Sequence, residues 1–361
     1  MMNTYCVIMA GGVGSRFWPM STQRVPKQFL DILNTGQSLL QLTYERVNKI
    51  IPAENILVVT NAEYGALAAK HLPELPKHNI LTEPVRRNTA PCIAYAAFKI
   101  QKRNPNAVMV VTPSDHLITN EEAYLQTLTK ALGLAAENEF LITLGITPVR
   151  PETGYGYIQF KREVLPIDER LKKVKTFTEK PDLEHAKAFL DSGDFLWNSG
   201  VFIWSAASCL DGLKNFAPDI YDAFSAGEPA YDTAGEDNFI NTIYPQCENV
   251  SIDYALMEKA QNVYVLPASF GWSDLGTWSS VLEQLTTDEH GNGVIGKKVL
   301  LSNTQNTLVV SSGQKVIVAD GLDGYIIAEG EKAIIIYPKE KEQEIKQVVS
   351  EVRLKWGEEH V

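Results

Sequence analysis

The chain has 361 residues, 45% hydrophobic and 21% charged, with a formal charge of −11. That is enough apolar material for two domains or one large core, and the wrong charge for a general nucleic-acid or anionic-membrane binder. Cys6, Cys92, Cys209 and Cys247 are too scattered for a zinc motif and too few for a disulfide framework, so reduced, mostly buried thiols are expected.

The first apolar run, Tyr5 to Ala10, stops at Gly11-Gly12 and has no basic residues before it, which makes it too short for a signal peptide. No later run approaches the roughly 18 apolar residues of a membrane helix, so a cytoplasmic, soluble protein is expected. Runs of the same kind recur at Ile56 to Thr60, Val108 to Thr112 and Phe140 to Leu144. None alternates cleanly, as expected of strands covered on both faces. Between the first two, Leu39, Leu40, Thr43, Val47, Ile50 and Ile51 fall on one helical face behind a possible Ser38 cap. Strands alternating with helices predict an α/β fold, a Rossmann-like doubly wound and mostly parallel sheet. Ligands of such sheets bind beyond the carboxyl ends of the strands, which points to the loops after Ala10, Thr60 and Thr112.

After Gly291-Asn292-Gly293 the pattern changes. Apolar triplets begin at Val299, Leu308, Val316, Tyr325 and Ile334, separated by Ser, Asn, Gly or Asp. Short stacked strands follow, either a small C-terminal β-solenoid-like domain or a plain meander. A terminal helix carries Ile345, Val348, Val349, Val352 and Trp356 as one stripe. The expected division is residues 1–288 as a catalytic domain and 289–361 as a β-rich tail with its helix. The tail is expected to serve packing and association, with a homodimer as the expected assembly.

The loop after the first strand reads Gly11-Gly12-Val13-Gly14-Ser15-Arg16-Phe17-Trp18-Pro19, then Pro26-Lys27-Gln28-Phe29. Glycines after a buried strand let backbone N–H groups approach a phosphate. Arg16 can fork onto phosphate oxygens and Lys27 adds a mobile charge. Phe17 stands where a dinucleotide fingerprint needs its last Gly or Ala, and no Gly-Lys-Ser/Thr completes a Walker loop. Further on, Asp115 follows the Val108 to Thr112 run, where it suits Mg²⁺ and the cap of the next helix equally well. Asn88 and Thr89 read as a helix N-cap before Ala90 to Ile100.

The stretch from Gly11 to Phe29 resembles the signature of the sugar-nucleotide pyrophosphorylases, and its Trp18-Pro19 and Pro26-Lys27-Gln28-Phe29 spelling resembles the mannose-1-phosphate guanylyltransferase branch. Ser15 stands where many relatives carry Thr. The resemblance implies transfer of GMP from GTP to mannose 1-phosphate. It implies that Ala10, Gly11, Gly12, Gly14, Ser15, Arg16 and Lys27 hold the triphosphate and that Glu83, Asn88 and Thr89 hold the nucleoside. Asp115 and the Asp274 of Gly271-Trp272-Ser273-Asp274 would share Mg²⁺. Gly154, Tyr155, Glu179 and Asn198 would take the hexose, and Lys180 its phosphate. Arg16, Lys27, Asp115 and Asp274 are the expected catalytic residues. The same reaction with glucose 1-phosphate and UTP or dTTP, or a non-catalytic subunit of this fold, are the competing expectations. Because the chain ends soon after the tail, no mannose-6-phosphate isomerase activity is expected.

Overall fold

The computed structural model describes residues 3–311, 313 and 315–361. Its strands run, in chain order, β1 (Thr4–Met9), β2 (Ile56–Asn61), β3 (Ile80–Glu83), β4 (Val108–Pro113), β5 (Leu117–Ile118), β6 (Leu141–Ile146), β7 (Tyr157–Phe160), β8 (Lys172–Thr178), β9 (Phe195–Ser205), β10 (Val263–Ala268) and β11 (Trp272–Ser273). The main sheet has the order β3-β2-β1-β4-β9-β6-β10-β8-β7, with β7 also touching β9. The pairs β3–β2, β2–β1, β1–β4 and β6–β10 are parallel. Only β8 and β9 run against the rest. This is the expected α/β fold with a largely parallel sheet, its apolar runs falling on β1, β2, β4 and β6.

Side chains of successive strand residues point to opposite faces. Tyr5 and Val7 join the core formed with the helix Thr89–Arg103, whereas Cys6 lies beside Tyr124 of the helix Glu121–Glu137. Helices therefore cover both faces, which explains why β1 and β2 are apolar nearly throughout. All four cysteines are free and buried, in keeping with expectation. Among the described residues no helix is long and apolar enough to cross a membrane.

By internal contacts the chain forms two compact units. One comprises the chain up to Gly11, Tyr44–Ser114 and Ile118–Trp272; the other comprises Gly12–Thr43, Asp115–Leu117 and Ser273–Val361. The first contains the main sheet. The second gathers its own core from Phe17, Trp18, Ile32, Trp278, Leu308, Val310, Ile326, Ala328, Ile345, Val349 and Val352.

Within the second unit lie β12 (Gly293–Ile295), β13 (Val299–Ser302), β14 (Leu308–Val310), β15 (Ile317–Asp320), β16 (Tyr325–Glu329) and β17 (Ile334–Pro338). β12, β14 and β16 stack in parallel, as do β13 and β15, and β17 turns back antiparallel on β16. Alternation along β14 sends Leu308 and Val310 into the unit's main core and Val309 into a smaller cluster with Ala319 and Ile327. The last helix, Ile345–Trp356, buries Ile345, Val349 and Val352 of the expected stripe. Trp356 departs from it, 63% exposed where the helix ends before Gly357.

Candidate active site

In the second unit the signature loop folds back on itself. Gly14 sits at φ 72°, and a Cβ there would lie 2.4 Å from the Cβ of Lys27. Only glycine satisfies both the left-handed backbone and the close approach. The Lys27 amide donates to the Val13 carbonyl at 3.0 Å, and Ser15–Phe17 forms a single tight turn. The Lys27 stem passes the Phe17 ring, whose centroid is 5.5 Å from Nζ, and Phe17 packs edge-on against Trp278. A flexible side chain is thereby led along one path.

That path ends at the acidic residues. Lys27 Nζ, on a residue only 4% exposed, donates to Asp115 Oδ2 at 3.0 Å and to the Asp274 carbonyl at 2.7 Å. Lys27, Asp115 and Asp274 thus meet in one unit although they are distant in sequence. Burial alone would raise the Asp115 carboxyl, but the charge of Lys27, helped by His116, holds it below its ordinary value. The turn carrying Asp274 is tightly made: its Oδ1 accepts from the Gly276 amide at 2.8 Å, and Leu275 is held at φ 44°. Strain of this kind persists where the surroundings over-determine it, commonly at functional sites.

The two aspartates supply hard oxygen donors of the kind that Mg²⁺ takes, with phosphate and water filling the other positions. Among the described residues no group of three or more His, Cys, Asp or Glu side chains gathers into a metal cage. An ion here would therefore rely on substrate oxygens. Of the other expected phosphate-loop residues, Gly12 and Ser15 lie on this loop, and Arg16 donates through Nε to Gln343 Oε1 at 2.8 Å.

The first unit holds the remaining candidates. Ala10 and Gly11 follow β1, and the Ala10 carbonyl accepts from the Thr60 hydroxyl at 2.8 Å. Glu83, at the end of β3, accepts from the Tyr244 hydroxyl and lies beside Cys92. A Cβ on Gly11 would stand 3.6 Å from its Oε2. Burial is the dominant influence on Glu83 and pushes its carboxyl up to about 7, against the lowering effect of Tyr244. Asn88 caps the helix Thr89–Arg103 by accepting from the Thr89 amide, at a strained φ of 64°. The Thr89 hydroxyl in turn accepts from the Ile252 amide at 2.8 Å.

A cavity of about 410 Å³ in this unit is lined by Asn88, Gly156, Glu179, Lys180, Asn198 and Asp253, among others. The bulged pairing of β9 with β6 and the bond from the Asn198 amide to the Gly156 carbonyl at 2.8 Å bring these stretches side by side. Lys180 is a further residue with positive φ, 39°, and pairs with Glu179. Gly154 and Tyr155 do not line the cavity: Gly154 donates to Glu152, and Tyr155 packs edge-on against Trp197 and Trp272. Gly156 takes the wall position instead.

Asp253 and Glu258 are among the cavity residues that sequence reasoning passed over. Asp253 accepts from Asn198 Nδ2 at 2.8 Å while Asn198 Oδ1 accepts from the Gly200 amide at 3.0 Å, which fixes the orientation of that amide. Burial raises the Asp253 carboxyl, partly offset by the Asn198 hydrogen bond. Asp253 opens a single wide helical turn, Asp253–Met257.

Residues 5–291 match the family model described as nucleotidyl transferase. The chain is 37% identical over 98% of its length to the mannose-1-phosphate guanylyltransferase of Salmonella montevideo, covering 75% of that protein. It is 36% identical to the protein of that name from Escherichia coli strain K12, over 99% of this chain and 75% of the relative. A crystal structure described as mannose-1-phosphate geranyltransferase from Thermus thermophilus superposes with a TM-score of 0.87 at 30% identity, covering 98% of this chain and all of the other.

Proposed function

The chain belongs to the nucleotidyl transferase family, and from that premise we propose that it transfers GMP from GTP to α-D-mannose 1-phosphate, giving GDP-mannose and pyrophosphate. The names of relatives that match nearly all of this chain support the substrates. The observation that carries the chemistry is the placement of the Lys27 ammonium between the Asp115 carboxylate and the Asp274 carbonyl.

An oxygen of mannose 1-phosphate attacks the α-phosphorus of GTP, and the bond from that phosphorus to the bridging oxygen breaks as pyrophosphate leaves with the electron pair. The nucleophile is already ionised at neutral pH, so no general base is needed, and the protein's task is positioning and charge stabilisation. The backbone N–H groups after β1, with Arg16 and Lys27, hold the triphosphate. Asp115 and Asp274 would hold Mg²⁺, which when bound offsets repulsion between the anions and polarises the α-phosphoryl group. Glu83, Asn88 and Thr89 serve the guanosine. Gly154, Tyr155, Glu179 and Asn198 serve the mannose, and Lys180 its phosphate. The parallel stacking of β12, β14 and β16 supports a short solenoid. We assign residues 1–288 to catalysis and 289–361 to that tail, with a cytoplasmic location and a homodimer as the working assembly. Pyrophosphate release that requires both GTP and mannose 1-phosphate tests the proposal, and no release with this pair overturns it.

Lys180 tests the sugar-phosphate half. Lys180→Gln is expected to raise the KM for mannose 1-phosphate roughly 10- to 150-fold, the scale of one charge-assisted hydrogen bond, with little change for GTP. A selective rise for GTP would place Lys180 on the wrong substrate.

Glu83 gives a pH dependence. Its folded value of about 7 exceeds the ordinary 4.5, so the stability it contributes is full below about 4.5 and is lost as pH rises through 7. Guanine binding needs the ionised acceptor, so the KM for GTP should fall as pH rises from 6 to 8. Glu83→Gln should flatten that dependence; an unchanged slope would show that another group titrates.

A further inference from the structure

The segment Lys339–Glu344 between β17 and the last helix sends adjacent side chains to different parts of the second unit. Gln343 Oε1 accepts from Arg16 Nε at 2.8 Å, and Glu342 Oε2 accepts from the Ser279 amide at 2.9 Å. Ser279 lies in the helix Trp278–Leu282, directly beyond the turn that carries Asp274. One short segment thereby ties the Arg16 loop to the Asp274 turn, which Lys27 also joins through the Asp274 carbonyl. The same loop is held again where the Trp18 indole donates to the His360 carbonyl at 2.7 Å.

The choice of atom on Arg16 matters. A guanidinium grips phosphate best through a pair of parallel N–H groups. A partner at Nε fixes the rotation of the planar fork while leaving the edge formed by its two terminal nitrogens pointed elsewhere. Holding a long side chain in place beforehand also removes part of the freedom it would otherwise lose on binding.

We propose that Gln343 is a positioning residue that aims the Arg16 guanidinium at the triphosphate. The inference rests on the reading of Arg16 as a triphosphate ligand. It gives the tail a part in substrate binding, beyond the packing and association expected from its sequence.

The test is a double-mutant cycle on the full chain. Gln343→Met keeps the length of the side chain and removes the acceptor. It should raise the KM for GTP roughly 3- to 10-fold, the scale of one hydrogen bond, while the KM for mannose 1-phosphate and the melting temperature stay unchanged. In an Arg16→Ala background the same change should add less than about twofold, because the group it acts through is gone. No effect in the wild-type background, or the full effect persisting beside Arg16→Ala, overturns the inference alone. If Arg16→Ala by itself leaves the KM for GTP unaltered, the reading of Arg16 fails and the inference falls with it.

Discussion

Asp115→Asn and Asp274→Asn are each expected to lower kcat/KM by roughly 10²- to 10³-fold or more, on the scale of removing a group that stabilises transition-state charge. The amide keeps the size of the carboxylate but loses the charge that recruits a hard cation. The folds of both variants should survive. In Asp115→Asn the new amide oxygen can still accept from Lys27, which also keeps the Asp274 carbonyl. In Asp274→Asn the side-chain oxygen can still accept from the Gly276 amide that shapes the turn. Circular dichroism and melting curves close to wild type, together with the loss of turnover, would assign the defect to chemistry. Near wild-type activity at low Mg²⁺ in either variant would remove that aspartate from the metal site.

Lys27→Ala is expected to reduce kcat roughly 10²-fold or more, with a smaller change in KM. Its second signature is a shift in pH dependence. Burial by itself raises Asp115, and the Lys27 charge is what brings it below its ordinary value. Without Lys27 the acid limb of the kcat/KM profile should move to higher pH. The Asp115 side chain is 32% exposed, so the stability cost should fall below the roughly 3–5 kcal/mol of breaking a fully buried pair. Lys27→Met is the companion variant: it preserves the stem that packs against Gly14 and Phe17, which separates loss of charge from collapse of the loop. A defect confined to the KM for GTP would reduce Lys27 to a uniform binding contact.

Local pattern carried the parts of the fold that pattern can carry. The buried runs beginning at Tyr5, Ile56, Val108 and Phe140 became β1, β2, β4 and β6, because a strand covered on both faces must be apolar throughout. Ser38 does open the helix Leu39–Asn48, its hydroxyl accepting from the Gln41 amide while the Gln41 side chain accepts in return. The tail triplets became β13 to β17, but β12 went unread because Gly293-Val294-Ile295 offers little apolar length. β9 was also missed: its Asn198-Ser199-Gly200 segment interrupts the apolar pattern where the strand bulges.

The candidate site was legible where glycine, proline and charge fall together in one loop, as from Gly11 to Lys27. It was not legible where function depends on a distant partner. Glu83 is singled out only through the family resemblance, and nothing local indicates that Tyr244 and Cys92 enclose it. Asp253 and Gln343 sit in short non-α helical stretches, and nothing local indicates that one orients Asn198 or that the other reaches Arg16.

The most direct measurement offers the protein GTP, UTP, dTTP and ATP together at equal concentration with mannose 1-phosphate and glucose 1-phosphate in Mg²⁺, and identifies the nucleotide sugar by mass spectrometry. GDP-mannose should form in clear excess over every other product, and its formation should be lost with Asp115→Asn. UDP-glucose or dTDP-glucose as the main product, or GDP-mannose formed equally well by Asp115→Asn, would contradict the account.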